Sequence, residues 1–237
     1  MRIFPRLAFL FMAWTTVLSL QGNLAIAAET PDASKIPVKS ELSVDRGRTA
    51  VLIMDYENDI INMLPEKSRA PLLDKASAIL KSARLAHIPV IYVVVRFRNG
   101  YPEINPQNKR FSAVKEKGFV REGTPGADIH AQIAPQPGDI VVTKRRVGAF
   151  STTDLESIIR ANNITTLAMF GISTSGVVLS TVRWAADMDY QIVVVSDACA
   201  DFDAEVHRVL TEKVFPGQAT VVSTQEFLRA LGSNTSQ

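Results

Sequence analysis

Six short runs of aliphatic and β-branched residues recur along the chain, separated by stretches with helical periodicity, and this alternation restricts the fold more than any other feature. The runs are Ala50 to Met54, Val90 to Val95, Asp139 to Thr143, Thr166 to Phe170, Ile192 to Ser196 and Thr220 to Val222. Each is nearly all apolar, with no in-and-out alternation. That pattern suits strands of a parallel sheet covered on both faces rather than a one-sided antiparallel sheet. Between them lie amphipathic stretches at Leu72 to His87, Thr153 to Asn162, Ser175 to Asp189, Ala204 to Phe215 and Thr224 to Leu231. Ser, Thr or Asp stands near several of their starts, where a side-chain oxygen caps the first turn. Such a succession of strands and helices requires right-handed crossovers and predicts a doubly wound, three-layer α/β/α domain. Only Arg96 to Pro137 breaks the rhythm, being rich in Gly, Pro and Lys with one short apolar piece at Ile129 to Ile133. Loops of that length usually carry function or are disordered.

The amino terminus reads as a secretory leader. Arg2 and Arg6 precede an apolar run from Leu7 to Leu20, followed by Ala25-Ile26-Ala27-Ala28, the layout of an A-x-A cleavage signal. Gln21, Gly22 and Asn23 break the run short of a membrane span. We therefore expect residues 1–27 to be a signal peptide, 28–48 a flexible lead-in, 49–232 the folded domain and 233–237 a tail, with the mature protein secreted or periplasmic and without a stable membrane anchor. The chain carries 26 Lys and Arg against 24 Asp and Glu. Arg2 and Arg6 account for the whole excess, so the mature chain is formally neutral. A neutral chain builds no basic stripe for nucleic acid. The single cysteine, Cys199, cannot form an internal disulfide. Stability has to come from packing about 210 residues around one core.

In open α/β sheets the site lies off the carboxyl ends of the strands, where strand order reverses. Asp55 follows the first run, Arg96 the second, Lys144 the third, the segment GISTSGV from Gly171 to Val177 the fourth, and Asp197-Ala198-Cys199 the fifth. A carboxylate emerging from a buried strand is costly unless paired, and Lys144 is a cation suited to hold Asp55 ionised or to orient an anion. The plainer readings are a loop-capping aspartate and a solvated lysine. The small residues after the fourth strand let backbone N–H groups face a ligand, or simply allow close packing. Cys199 has no histidine near it in sequence to lower its pKa and reads as a buried structural thiol.

Taken together and in order, VLIMDYENDI (Val51 to Ile60), EGTPGADIHAQIAPQPGDIVVTKRRVGAF (Glu122 to Phe150), GISTSGVVLST (Gly171 to Thr181) and VVVSDACAD (Val193 to Asp201) resemble the isochorismatase-like cysteine hydrolases from about Thr49 to Leu231. The resemblance implies a six-stranded parallel sheet of order 3-2-1-4-5-6. It implies a triad of Asp55, Lys144 and a cysteine, and a cis peptide between Ile172 and Ser173. Family members are commonly oligomers, so a homo-oligomer is implied as well. The family's nucleophile position is occupied here by Val177, and a hydrocarbon cannot attack a carbonyl. Isochorismatases proper also lack the cysteine and cleave a vinyl ether, with the aspartate handling the proton. Nicotinamidases of the family hold a metal at an Asp-x-His motif after strand two, where this chain has Arg96-Phe97-Arg98. Asp128 and His130 share that spacing only in a later segment, and no metal or other cofactor is expected.

The expectation is therefore an exported hydrolase of a small molecule, acting on a C–N or ether bond through Asp55 and Lys144 without a thiol. Ile172, Ser173, Gly176 and Val177 would supply backbone to the site, and Tyr56, Arg96, Phe97, Phe150 and Trp184 would wall the pocket. Isochorismate metabolism is cytoplasmic, so an exported enzyme would act on something else. Ser173, Ser175 and Ser180 are substitute nucleophiles only if Asp55 serves as their base. The alternative is a non-catalytic binding or interaction protein on the same scaffold, which Val177 favours.

Overall fold

The computed structural model describes residues 42–232, and the expected signal peptide and tail lie outside them. Six strands form one parallel sheet in the order β3-β2-β1-β4-β5-β6. They are β1 (Thr49–Met54), β2 (Val90–Val95), β3 (Ile140–Lys144), β4 (Thr166–Gly171), β5 (Gln191–Val195) and β6 (Thr220–Val222). Every residue of β1, β2 and β4 is buried, which is why these strands read as unbroken apolar runs. The edge strands β3 and β6 are only partly buried. The all-parallel pairing matches the doubly wound α/β fold expected from the strand pattern, and the order is the one that the resemblance implies.

Among the described residues seven α-helices accompany the sheet: α1 (Asn58–Asn62), α2 (Glu66–Leu85), α3 (Lys109–Lys117), α4 (Leu155–Ala161), α5 (Leu179–Asp187), α6 (Ala204–Val209) and α7 (Thr224–Gly232). In α2, Leu72, Leu73, Ala76, Ile79, Leu80 and Ala83 are buried, the stripe that a 3.6-residue period presents to a sheet. This helix begins six residues before the expected Leu72 and runs through Pro71. Pro71 is exposed, so the carbonyl that its missing N–H leaves unbonded can turn to water.

Three differences from the sequence reading matter for the site. The segment Arg96 to Pro137 is not structureless, because α3 lies within it and Phe97, Tyr101, Ile104, Phe111 and Val120 form a second small core with Val95. The expected helix from Ser175 instead opens with a π-helical turn, Thr174–Val178, before α5 begins. Packing also starts ahead of Thr49: Val44 is buried in the main core, and the Asp45 side chain accepts from the Gly47 amide at 3.0 Å.

Strand order reverses between β1 and β4, and β1 lies at the centre of the sheet between β2 and β4. The two strands approach closely at their ends, where Met54 is in register with Gly171. A Cβ at Gly171 would lie 2.8 Å from the Met54 carbonyl oxygen and 3.0 Å from its Cβ. Because the first obstacle is backbone, Gly171→Ala should destabilise the fold by about 1–3 kcal/mol, read as a lower midpoint in urea unfolding.

Candidate active site

The carboxyl ends of β1, β3 and β4 converge on a cavity of about 240 Å³. Asp55 leaves β1 with its amide still donating to Val93 O at 2.9 Å, but its φ is 57°. Aspartate tolerates this left-handed region better than most residues, at a cost of order 1–3 kcal/mol, and the bend leaves its carboxylate lining the cavity. Lys144 ends β3 in register with Val95 of β2. Two strands of one sheet with a third between them stand about 10 Å apart, a gap that a four-carbon side chain can bridge. Lys144 does so. Its Nζ lies 2.9 Å from Asp55 Oδ2 and 3.1 Å from Arg146 O, and both partners of the ion pair are nearly inaccessible to solvent.

Burial raises the Asp55 pKa above the ordinary aspartate value, and the Lys144 ammonium, with a smaller effect from Arg110, pulls against it. Desolvation wins because Asp55 Oδ1 is buried with no hydrogen-bond partner. A second carboxyl, which the sequence reading did not single out, lies beside this pair. Glu57 is fully buried, its Oε1 accepts from the Val95 amide and its Oε2 has no partner. Its pKa stands well above the usual range, raised first by burial and then by the Asp55 carboxylate. One ammonium cannot neutralise two buried carboxylates, and Glu57 is the one without a cation at hydrogen-bond distance. The signal was available in the sequence: Glu57 sits two positions after Asp55, just beyond a wholly buried strand.

After β4 the chain makes the cis peptide between Ile172 and Ser173 and enters the π turn. Ile172, Ser173 and Val177 line the cavity with Asp55 and Lys144. Four amides of the turn, those of Thr174, Ser175, Gly176 and Val178, are engaged in holding it. Thr174 N donates to Ala200 O at 2.8 Å, Gly176 N to Ser173 O at 3.1 Å and Val178 N to Ser173 O at 3.3 Å, while Ser175 N donates to Asp201 Oδ2 at 2.6 Å. Gly176, expected to offer backbone to a ligand, thus contributes space instead. A Cβ there would fall 2.6 Å from both Arg110 Nη2 and Ser173 Oγ. Arg110, from α3, donates to Ser173 Oγ at 3.3 Å. A guanidinium cannot accept that hydroxyl's proton, and Ser175 and Ser180 do not line the cavity.

Of the aromatic and basic wall expected from sequence, only Phe97 lines the cavity. Alternation along an extended chain sends Val95 and Phe97 to one side and Arg96 to the other, where Arg96 Nε donates to Ala127 O at 2.9 Å. Tyr56 likewise faces away from Asp55. It is buried against Phe170 with ring centroids 5.8 Å apart, its hydroxyl donating to Ala198 O. Phe150 and Trp184 stack on each other at 6.2 Å outside the cavity, and Trp184 is partly exposed. The sequence reading missed Arg110 and Phe111, which reach the cavity from α3. Asn108 capping Phe111 N and Gly118 at the end, with φ 69°, are the start and stop signals that mark this helix in the sequence. Cys199 is not part of the lining. Its thiol donates to Val195 O at 3.4 Å, and burial pushes its pKa up to about 12.

Residues 49–226 match the model of the isochorismatase domain. An uncharacterised isochorismatase family protein of Bacillus subtilis is 30% identical over 79% of this chain and 96% of its own length. A ureidoacrylate amidohydrolase of Stutzerimonas stutzeri is 28% identical over 71% of this chain and 77% of its own. Among solved structures, a cysteine hydrolase from Pseudomonas syringae pv. phaseolicola superposes with a TM-score of 0.73 at 24% identity, covering 81% of this chain and 96% of that one.

A buried carboxyl whose folded pKa exceeds its unfolded value costs stability as pH rises from the unfolded value toward the folded one, because the unfolded chain releases the proton first. Glu57, raised by burial, is such a group. Glu57→Gln, which mimics the neutral acid, should therefore gain melting temperature relative to the parent as pH is raised from the ordinary carboxylate range to neutrality. A constant difference across that range would show that Glu57 is not held protonated.

Proposed function

Because the chain belongs to the isochorismatase family, we propose that it is a hydrolase of a small molecule in which Asp55 transfers the proton and no covalent intermediate forms. The observation that carries this reading is the Asp55–Lys144 pair lining a cavity together with Val177, the position at which the resemblance puts the family's nucleophile. Water is then the nucleophile. Asp55 in its acid form donates a proton as the C–N or ether bond breaks, and as carboxylate it takes one back from the attacking water, which restores the starting state. General acid–base transfer is most efficient when the group's pKa lies near the working pH, and burial moves Asp55 in that direction. Lys144 keeps the carboxylate form from becoming prohibitive in the buried site, and its third N–H remains for a substrate oxygen. The leader at residues 1–27 would place the reaction outside the cytoplasm.

Val177 also suits a second reading, a binding protein that has kept the scaffold and lost the chemistry. A panel of amides, carbamates and vinyl ethers tested with Asp55→Asn separates the two. The hydrolase reading expects turnover by the parent and a loss of roughly 10²–10⁴-fold in the variant, with Cys199→Ser unchanged. Turnover that survives Asp55→Asn, or none on any member of the panel, contradicts it.

A complementary test restores a thiol. Val177→Cys should be alkylated by iodoacetamide at neutral pH much faster than Cys199 in the parent, since position 177 lines the cavity beside Lys144. Equal rates would mean that this position does not face the site.

A further inference from the structure

The cavity holds more positive charge than the proposed proton transfer requires. Asp55 and Lys144 offset each other, yet Arg110 and Lys117 line the same cavity, the Lys117 ammonium lying 5.6 Å from the centroid of the Phe119 ring. Among the described residues Arg110 forms no salt bridge, and its hydrogen bond is to the neutral Ser173 hydroxyl. Helix stability does not explain its position. Arg110 is the second residue of α3, whose first turn contains no acidic side chain, and a cation at that end opposes the helix dipole by about 0.3–1 kcal/mol. The guanidinium therefore adds positive potential at the cavity wall. Arg110 itself is exposed, and its Nη2 occupies the space beside Gly176, 2.6 Å from where a Cβ would stand.

We propose that Arg110 and Ser173 form an anion subsite that selects substrates carrying a carboxylate on a compact apolar body, with the bond to be cleaved turned toward Asp55. The apolar part is specified by Phe97, Phe111, Val147, Val177 and Phe202, and its size by a volume of about 240 Å³. A carboxylate fits better than a phosphate. One planar guanidinium with one hydroxyl matches a planar anion of single charge, whereas a phosphate dianion calls for several backbone amides. Those of Thr174, Ser175, Gly176 and Val178 are already bonded to Ala200, Asp201 and Ser173. The subsite rests on the reading of this cavity as the place where substrate binds.

Calorimetric titration of the purified protein with benzoate and phenylacetate, each against its neutral amide, tests the subsite without relying on turnover. The parent should prefer each carboxylate over its amide by roughly tenfold or more, the size of one charge-assisted hydrogen bond. Arg110→Gln should bring the ratio to about one while leaving amide affinity unchanged. Arg110→Lys, which keeps the charge but not the fork, should retain part of the preference, and Lys109→Gln, beside it but outside the cavity, should retain all of it. Unchanged melting temperatures verify folding. Equal affinities in the parent, a preference that survives Arg110→Gln, or failure of all four probes to bind would overturn the proposal. If the preference depends on Arg110 in a protein that hydrolyses nothing, the subsite stands and the hydrolase reading falls. Hydrolysis indifferent to substrate charge would do the reverse.

Discussion

A single buried ion pair, Asp55 with Lys144, governs how the carboxyl end of this sheet is built. Two charges in a site with almost no solvent access are tolerated only if they meet at hydrogen-bond distance, and removing one partner from such a pair typically costs about 3–5 kcal/mol. The pair is possible because the order β3-β2-β1 places one intervening strand between the two residues, a distance that lysine spans and a shorter cation would not. The intervening strand takes part as well, since the Val95 amide at its end holds Glu57. Three neighbouring strands thus terminate in one electrostatic unit.

That unit has two carboxyls and one ammonium, and its internal competition gives it chemical character. Desolvation raises both carboxyls, while Lys144 lowers Asp55 by direct contact and Glu57 from further off. Of the two, Asp55 has the cation at hydrogen-bond distance, and it is also the one that reaches the cavity. The opposite wall is made by α3 and by the turn after β4, joined where Arg110 meets Ser173. One wall carries the Asp55–Lys144 ion pair and the other presents a cation, with apolar side chains between them. Family membership supplies the hydrolytic context, and Val177 is part of the cavity wall.

The regular elements were legible because burial on both faces leaves a plain signature. Val90 to Val95 and Thr166 to Phe170 contain no residue that could face water usefully, and the structure buries them fully. Side chains just beyond the strands were harder to place. Arg96 and Phe97 are adjacent in sequence, yet one bonds Ala127 O and the other lines the cavity. Tyr56 and Asp55 diverge in the same way. Their types suggested a pocket, but the pleat at each strand end decided which of them reached it. Helix α3 was overlooked because nine residues with few apolar positions give a weak periodic signal, and its burial comes from the small core around Phe97 and Phe111 rather than from the main sheet.

By itself the sequence determined the α/β class, the number of strands, the emergence of Asp55 and Lys144 from strand ends, and the absence of a second cysteine. All of these follow from local composition and periodicity. Only the tertiary structure decided that Asp55 and Lys144 touch, that Glu57 joins them, that Arg110 crosses from a distant helix to the turn after β4, and that Cys199 stays apart from the cavity. Those facts depend on strand order and on the direction each side chain takes as it leaves the sheet. They are long-range properties, set by which surfaces pack together rather than by any residue's own preference.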